Sequence, residues 1–348
     1  MSWWNEACQT SDADFVARAQ ERQGQLTKPP GALGTLEEIA IRLAGLQQND
    51  QPAVDNVHIS VFAADHGIVA EGVSAFPQEV TAQMVHNFLH GGAAISVLAK
   101  QLGAALEIVD AGILTPLPEQ GGLILQRAGE GTANSAKQAA MTTAQLETAL
   151  QAGFDAVERA SAQQAQLFVG GEMGIGNTTA ATALYCALLD MQPEQVAGAG
   201  TGLDDEGIAH KARVLGQVLD LHRDAGTDAM EWLRCVGGFE IAALTGAYLH
   251  AAQCRIPVLV DGFISSAAAL VATRVQPDAG QWLFLSHASA EQGHQYAIPA
   301  LGQKPLLDLG MRLGEGSGAA VAVNIMRTAC ALHNGMATFA EAAVAGKL

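Results

Sequence analysis

The sequence predicts an α/β protein, a doubly wound and mostly parallel, Rossmann-like sheet, with a small helical domain built from both chain ends. Two patterns carry this expectation. From about residue 57 a short β-branched apolar run, a glycine-rich turn bearing polar residues and an alanine-rich helical stretch follow one another repeatedly. The runs also hold few charges before their turns, as parallel strands buried on both faces require. "VHISVFAADHG" from Val57, "ALEIVDAG" from Ala105, "AQLFVGGEMGIGN" from Ala165, "IPVLVDGF" from Ile256 and "QWLFLSHAS" from Gln281 are the expected strands with their turns. Helices are expected at "TTAATALYCALL" after Asn177 and "SSAAALVATRV" after Phe263, which completes a βαβ series. Ligands in such folds sit at the carboxyl ends of the strands, so the polar residues collected in those turns are the candidates for chemistry.

The chain ends read differently. "DADFVARAQERQGQL" and "TLEEIAIRLAGLQQ" are helical, separated by the turn "TKPPGALG", and "AVNIMRTACALHNG" and "TFAEAAVAG" are expected as helices near the other end. Residues 1–55 plus 325–348 are therefore assigned to the small helical domain and 56–324 to a large α/β domain with phosphate-binding and catalytic turns.

Composition narrows the class of partner. Of 348 residues, 18 are Lys or Arg and 35 Asp or Glu, a net charge of −17 that repels nucleic acid phosphates and anionic membrane surfaces. No apolar run reaches the roughly 18 residues of a membrane span, and "MSWWNEACQTSDADF" lacks the features of a signal peptide, so a cytoplasmic protein without a membrane segment is expected. Five cysteines without a CxxC pair suit reduced, mostly buried thiols.

Several enzyme signatures are absent: GxxxxGK[ST], HExxH and GxSxG. "GEGSGA" at 314–319 fits a dinucleotide turn in form, but the acid expected about 20 residues on is missing. "GGEMGIGNTTAATAL" says more. Gly174 and Gly176 let backbone amides approach a ligand, and Asn177 is placed to cap a helix beginning at Thr178, whose amino end suits a phosphate. A second turn, "GAGTGLDDEGIAHKARVL", supplies Gly200, Gly202 and Lys211 for the same anion, and "LSHASAEQGH" adds Ser289 and Gly293.

Two carboxylates remain, Glu172 and Glu315, each in a glycine-rich turn after an expected strand. Either alone reads equally well as an exposed turn residue. If both enter one cleft walled by Met173 and Leu313, desolvation and mutual repulsion raise the pKa of one toward neutrality and create a general base.

Seven segments taken together, "KPPGALGTLE", "FAADHGI", "GEMGIGNTT", "GAGTGLDDEG", "VLVDGFI", "SHASAEQGH" and "LGMRLGEGSGA", closely resemble the nicotinate-nucleotide:dimethylbenzimidazole phosphoribosyltransferases, over essentially the whole chain. The resemblance implies transfer of a 5-phosphoribosyl group from nicotinate mononucleotide to 5,6-dimethylbenzimidazole, which gives nicotinate and α-ribazole 5′-phosphate, the lower-ligand unit of cobalamin. It implies that Glu315 is the catalytic base with Glu172 beside it, and that no metal or redox cofactor takes part. It further implies that Asp261 serves the sugar-phosphate side, and that the chain is a homodimer with sites near the subunit boundary. Phe76, Gln78, Met84 and His86, in "VSAFPQEVTAQMVHNFLH", are expected to help form the azole pocket.

Two other classes compete. A metal-dependent hydrolase would use Asp65, His66, His86 and His90, of which the last two lie one helical turn apart. A protein that only binds nicotinate mononucleotide or an azole would keep the phosphate turns but has no need of Glu315.

Overall fold

Every residue of strand β1, Val57–Ala64, is buried, so both faces of the sheet are covered where it is deepest. The computed structural model describes residues 2–200 and 202–345. Strands β2 (Ala105–Gly112), β3 (Leu123–Leu125), β4 (Leu167–Met173), β5 (Val258–Val260) and β6 (Leu283–Leu285) join β1 in one sheet of order β3-β2-β1-β4-β5-β6. Each neighbouring pair is parallel. This is the doubly wound order in which the chain reverses direction between β1 and β4, and ligands gather at the carboxyl ends beside that switch.

The five expected strands are present. β3 was not foreseen, because it is three residues long, lies at the sheet edge and is only partly buried, so it carries no periodic signal.

The helices are α1 (Ala13–Gln25), α2 (Thr35–Gln47), α3 (Glu79–Leu89), α4 (Ala94–Leu102), α5 (Thr143–Ala162), α6 (Asn177–Leu189), α7 (Pro193–Val196), α8 (Asp205–His222), α9 (Ala229–Val236), α10 (Phe239–Gln253), α11 (Phe263–Val275), α12 (His294–Ala300) and α13 (Ser317–Gly335). Among the described residues none is long and apolar enough to cross a membrane. α10 is buried from Phe239 to Ala252, packing on β1, β2 and β4 and between α5 and α11. Its close crossing with α5 depends on missing side chains. A Cβ on Gly153 would collide with the Ala243 carbonyl, and one on Gly246 with the Leu150 carbonyl.

The chain ends meet through backbone and guanidinium contacts. Phe339 N donates to Gln25 O at 2.9 Å and Thr27 N to Ala337 O at 3.1 Å. Arg22 Nε donates to His333 O at 2.8 Å, and its Nη2 to Asn334 O at 3.1 Å, which places a cation on the carbonyl end of α13. α13 begins at Ser317 and runs without a break through residue 325, where the sequence reading divided the chain. "TFAEAAVAG" is not helical as far as it is described: Thr338 pairs with Leu26 in an antiparallel bridge and Ala343 is left-handed at φ 51°. Its helical composition is overridden by backbone pairing with the other chain end. All five cysteines are free and only Cys254 is not buried. Trp3 packs edge-on against Phe154 at 4.8 Å.

Gly153→Ala should lower stability by about 1–3 kcal/mol, because backbone on both helices must move. Gly24→Ala, in open space on α1, should instead raise it by about 0.5–1 kcal/mol. Urea midpoints of the two variants measure both effects; equal midpoints would mean that the crossing is looser than described.

Candidate active site

A cavity of about 430 Å³ opens at the carboxyl ends of β4, β5 and β6, with Glu172 and Glu315 both in its wall. The two carboxylates arrive by different routes. Glu172 is the next-to-last residue of β4, and its Oε2 accepts a short hydrogen bond from Asn177 Nδ2 at the start of α6. Glu315 lies in the loop ahead of α13, where Gly314, Glu315 and Gly316 take φ values of 86°, 66° and 85° in succession. The left-handed region costs a side-chain-bearing residue about 1–2 kcal/mol, so the surroundings must hold Glu315 there.

They do so from β4 and β5. Asp261, just beyond β5, accepts from Gly316 N at 3.2 Å through Oδ2 and from Ala319 N at 2.8 Å through Oδ1. α13 has no capping side chain of its own, and Asp261 supplies one from across the sheet. Gly171 completes the seat, because a Cβ there would collide with the Glu315 carbonyl. Gly314 likewise leaves room for Glu172 Oε1.

Electrostatics separate the two acids. Burial, reinforced by Asp261 and Glu240, pushes the Glu172 carboxyl up to about 8, against the opposing hydrogen bond from Asn177. Burial also raises Glu315, while the Ile95 N–H near the start of α4, 3.5 Å from Oε2, favours its charge. At neutral pH the Glu172 carboxyl is therefore protonated. Of the pair, Glu172 is the acid held neutral and Glu315 the one with an amide that favours its charge.

A family model described as phosphoribosyltransferase matches residues 8–344. The nicotinate-nucleotide–dimethylbenzimidazole phosphoribosyltransferase of Pseudomonas putida KT2440 is 57% identical over 346 residues, 99% of each chain. That of Xanthomonas euvesicatoria is 58% identical over 342 residues, 98% of each. The chain belongs to the nicotinate-nucleotide–dimethylbenzimidazole phosphoribosyltransferase family. A crystal structure of such a phosphoribosyltransferase from Thermus thermophilus superposes with a TM-score of 0.92 at 46% identity, covering 97% of this chain and 100% of that one.

In this phosphoribosyltransferase, Met173, Gly174, Asn177, Thr178, Gly200, Ser289, Leu313, Phe76 and Met84 line the cavity together with the two glutamates. Phe76 and Leu313 are largely exposed and form its rim. Other expected residues stand elsewhere. Lys211 is buried behind the wall, its Nζ donating to Thr178 Oγ1 at 3.0 Å, and burial lowers its pKa to about 8. Asp261 is spent on α13. Gly176 is the left-handed residue that leads into α6, so Asn177 is the first helical residue and holds Glu172 instead of capping. The Ile175 N–H in that turn goes to Thr81 Oγ1 at 3.1 Å. Gly202 is exposed at φ 128°, and Gly293 is pressed against Phe263 and Val196. Gln78 Nε2 donates to the His66 carbonyl at 2.8 Å, and His86 lies on α3 outside the cavity lining.

The four residues of the hydrolase alternative do not converge. His66 Nε2 is 2.7 Å from Glu240 Oε1, Asp65 Oδ2 accepts from Leu114 N, and His90 Nδ1 pairs with the His86 carbonyl. Among the described residues the three-ligand cluster that could hold a metal is Glu158, His250 and Cys254, outside this cavity.

Glu291, Arg312 and His287 also line the cavity and were not singled out from the sequence. Glu291 and Arg312 are the charged residues of "SHASAEQGH" and "LGMRLGEGSGA" other than histidine and Glu315, which was the available signal. His294 is held neutral, its pKa lowered to about 4 by burial and by His287. Its Nδ1 accepts from Ser289 N at 2.9 Å, so Nε2 carries the proton and donates to Ser266 Oγ at 3.0 Å, which fixes Ser289 in the wall.

The raised Glu172 pKa has a stability consequence of definite sign. Below about pH 4.5 the carboxyl is protonated both folded and unfolded. Between 4.5 and about 8 only the unfolded chain ionises, so stability falls as pH rises, and the loss is complete above about 8. Glu172→Gln lacks this penalty. Scanning calorimetry should show its Tm advantage over the parent growing from pH 5 to pH 8 and then levelling; an advantage independent of pH would contradict the raised pKa.

Proposed function

We propose that the enzyme transfers the 5-phosphoribosyl group of nicotinate mononucleotide to 5,6-dimethylbenzimidazole, giving α-ribazole 5′-phosphate and nicotinate. The observation that carries this reading is the pair of glutamates in one cavity, Glu172 kept neutral and Glu315 raised by burial with the Ile95 N–H favouring its charge. One azole nitrogen attacks the anomeric carbon as the bond to the pyridinium nitrogen breaks. The bonding pair departs with nicotinate, which becomes neutral at nitrogen, and the proton on the other azole nitrogen passes to Glu315. A carboxylate against that N–H raises the nucleophilicity of the attacking nitrogen, and its raised pKa strengthens it as a base. Attack opposite the leaving group converts a β nucleotide to an α product.

A neutral Glu172 supports the same assignment. A second carboxylate charge in the cavity would repel the phosphate of the incoming nucleotide and raise its binding cost. Thr178, steadied by Lys211, and Ser289, steadied by His294, are the proposed holders of the sugar-phosphate, which would turn binding into alignment. Met173, Met84 and Phe76 supply apolar surface suited to the azole. The family resemblance is the ground for proposing a homodimer and a cytoplasmic enzyme.

Incubating the protein with nicotinate mononucleotide and dimethylbenzimidazole should yield a ribazole phosphate detectable by mass spectrometry. Glu315→Gln should lower kcat by roughly 10²–10⁴ with both substrates still bound. Product formed at the parental rate would remove Glu315 from the role of base, and no product from the parent protein would remove the reaction.

A further inference from the structure

The C-terminal end of α10 carries side chains of metal-ligand type that the cavity does not use. His250 lies in the last turn of α10, Cys254 follows one turn on as its cap, and Glu158 reaches across from α5. The Cys254 N–H donates to the His250 carbonyl at 2.9 Å, which holds the two residues on one face. His250 Nε2 is 2.7 Å from Glu158 Oε1 and 3.4 Å from Cys254 Sγ, and the three ligand atoms all lie within 4.8 Å of one another. The Phe154 ring stacks on the imidazole at 3.6 Å between centroids and 19° between planes, with Trp3 edge-on at 6.0 Å.

Gln253 decides which nitrogen of His250 is free. Its Nε2 donates to the Trp3 carbonyl at 3.0 Å and to the Glu6 carbonyl at 3.2 Å. Two acceptors identify that end of the amide as the NH2 group, so the atom 2.9 Å from His250 Nδ1 is the oxygen Oε1, and Nδ1 carries the proton. The Nε2 lone pair is then turned toward a carboxylate and a sulfur. Three electron-pair donors face one another, and a proton or a metal ion has to lie between them. A proton serves two of the three at a time, whereas one ion on Nε2 engages all of them.

We propose that Glu158, His250 and Cys254 form a binding site for a divalent metal ion of the zinc class, with Gln253 as the outer partner that fixes the histidine. A nitrogen, a sulfur and one oxygen suit zinc and disfavour magnesium or calcium, which seek oxygen alone. Ligand atoms around tetrahedral zinc stand about 3.2–3.7 Å apart. The His250–Cys254 spacing already falls there, and Glu158, whose side chain is 56% exposed, can move to widen its own contact and admit the ion from solvent. Binding replaces the Cys254 thiol proton, which leaves to solvent, and the fourth position is left for water. The site lies outside the cavity of the two glutamates, so it is separate from the proposed reaction. An ion there joins α5 to the end of α10 and, through Gln253, to the segment from Trp3 to Glu6.

The test uses the full-length protein, stripped with a chelator, desalted and titrated with Co2+ as a spectroscopic stand-in for zinc. The parent should develop thiolate-to-cobalt charge-transfer absorption that saturates at one equivalent, together with the visible bands of tetrahedral cobalt, and added Zn2+ should remove both. Cys254→Ser should lose the charge-transfer absorption although the other four cysteines remain. Glu158→Gln, made on the exposed side of the site, should weaken cobalt roughly 10-fold or more, at least the loss that follows removal of an outer partner of a metal ligand. Zn2+ should raise the melting temperature of the parent and leave that of Cys254→Ser where it was. No charge-transfer absorption in the parent, absorption that persists in Cys254→Ser, or an unchanged cobalt affinity in Glu158→Gln would overturn the site, and His250 and Glu158 would stand as an ion pair only.

Discussion

The site depends on the two hydrogen bonds that Asp261 accepts from Gly316 N and Ala319 N. They cap a helix that has no cap of its own, and they fix the turn in which Glu315 holds an unfavourable left-handed conformation. The turn is also closed by Ser317 N donating to Gly314 O at 3.0 Å, but Asp261 holds it from β5, and φ 66° lies about 1–2 kcal/mol above the ordinary backbone regions for a side-chain-bearing residue. The same anchor aligns α13, whose far end receives the Arg22 guanidinium. One carboxylate thus ties the Glu315 loop, the sheet and the chain ends into a single piece.

Around this anchor the glycines serve as spaces for other groups. Gly171 admits the Glu315 carbonyl, Gly314 admits the Glu172 carboxyl, and Gly198 admits that of Glu291. The cavity wall therefore carries three acids, and their environments divide the work. Glu172 is kept neutral by burial and its acidic neighbours, Glu315 has an amide to favour its charge, and Glu291 is raised by burial, which Lys211 and Arg312 oppose. Like charges packed at this density would exclude a phosphate ester unless they were neutralised or paired.

Much of the fold was legible because buried parallel strands and alanine-rich helices leave strong periodic signals; the five expected strands fell in this class. β3 was too short to register, and the "TFAEAAVAG" segment carries helical composition but is held in turns by pairing with Leu26. In the site, glycine turns and glutamates were visible as residue types, and the motif order pointed to the family. What spacing could not reveal was which partner each polar group takes. Asn177 reads as a cap until Gly176, left-handed at φ 98°, starts the helix one residue earlier. Asp261 reads as a ligand group until α13 proves to need a cap. Lys211 reads as a phosphate contact until burial puts it behind Thr178. The first is a local backbone fact that residue types do not reveal, and the other two are tertiary, resting on hydrogen bonds between residues 58 and 33 positions apart.

The most direct measurement is steady-state kinetics of Asp261→Asn beside the parent. Asparagine keeps the size but presents an amide N–H to one of the two backbone donors, so the Glu315 turn should loosen while the substrate-binding wall stays intact. The expected result is a fall in kcat of roughly 10² or more, with the KM for nicotinate mononucleotide changed by less than about 3-fold. A kcat near the parent's, in a variant that folds, would show that Glu315 is held by something other than Asp261 and would contradict the central claim.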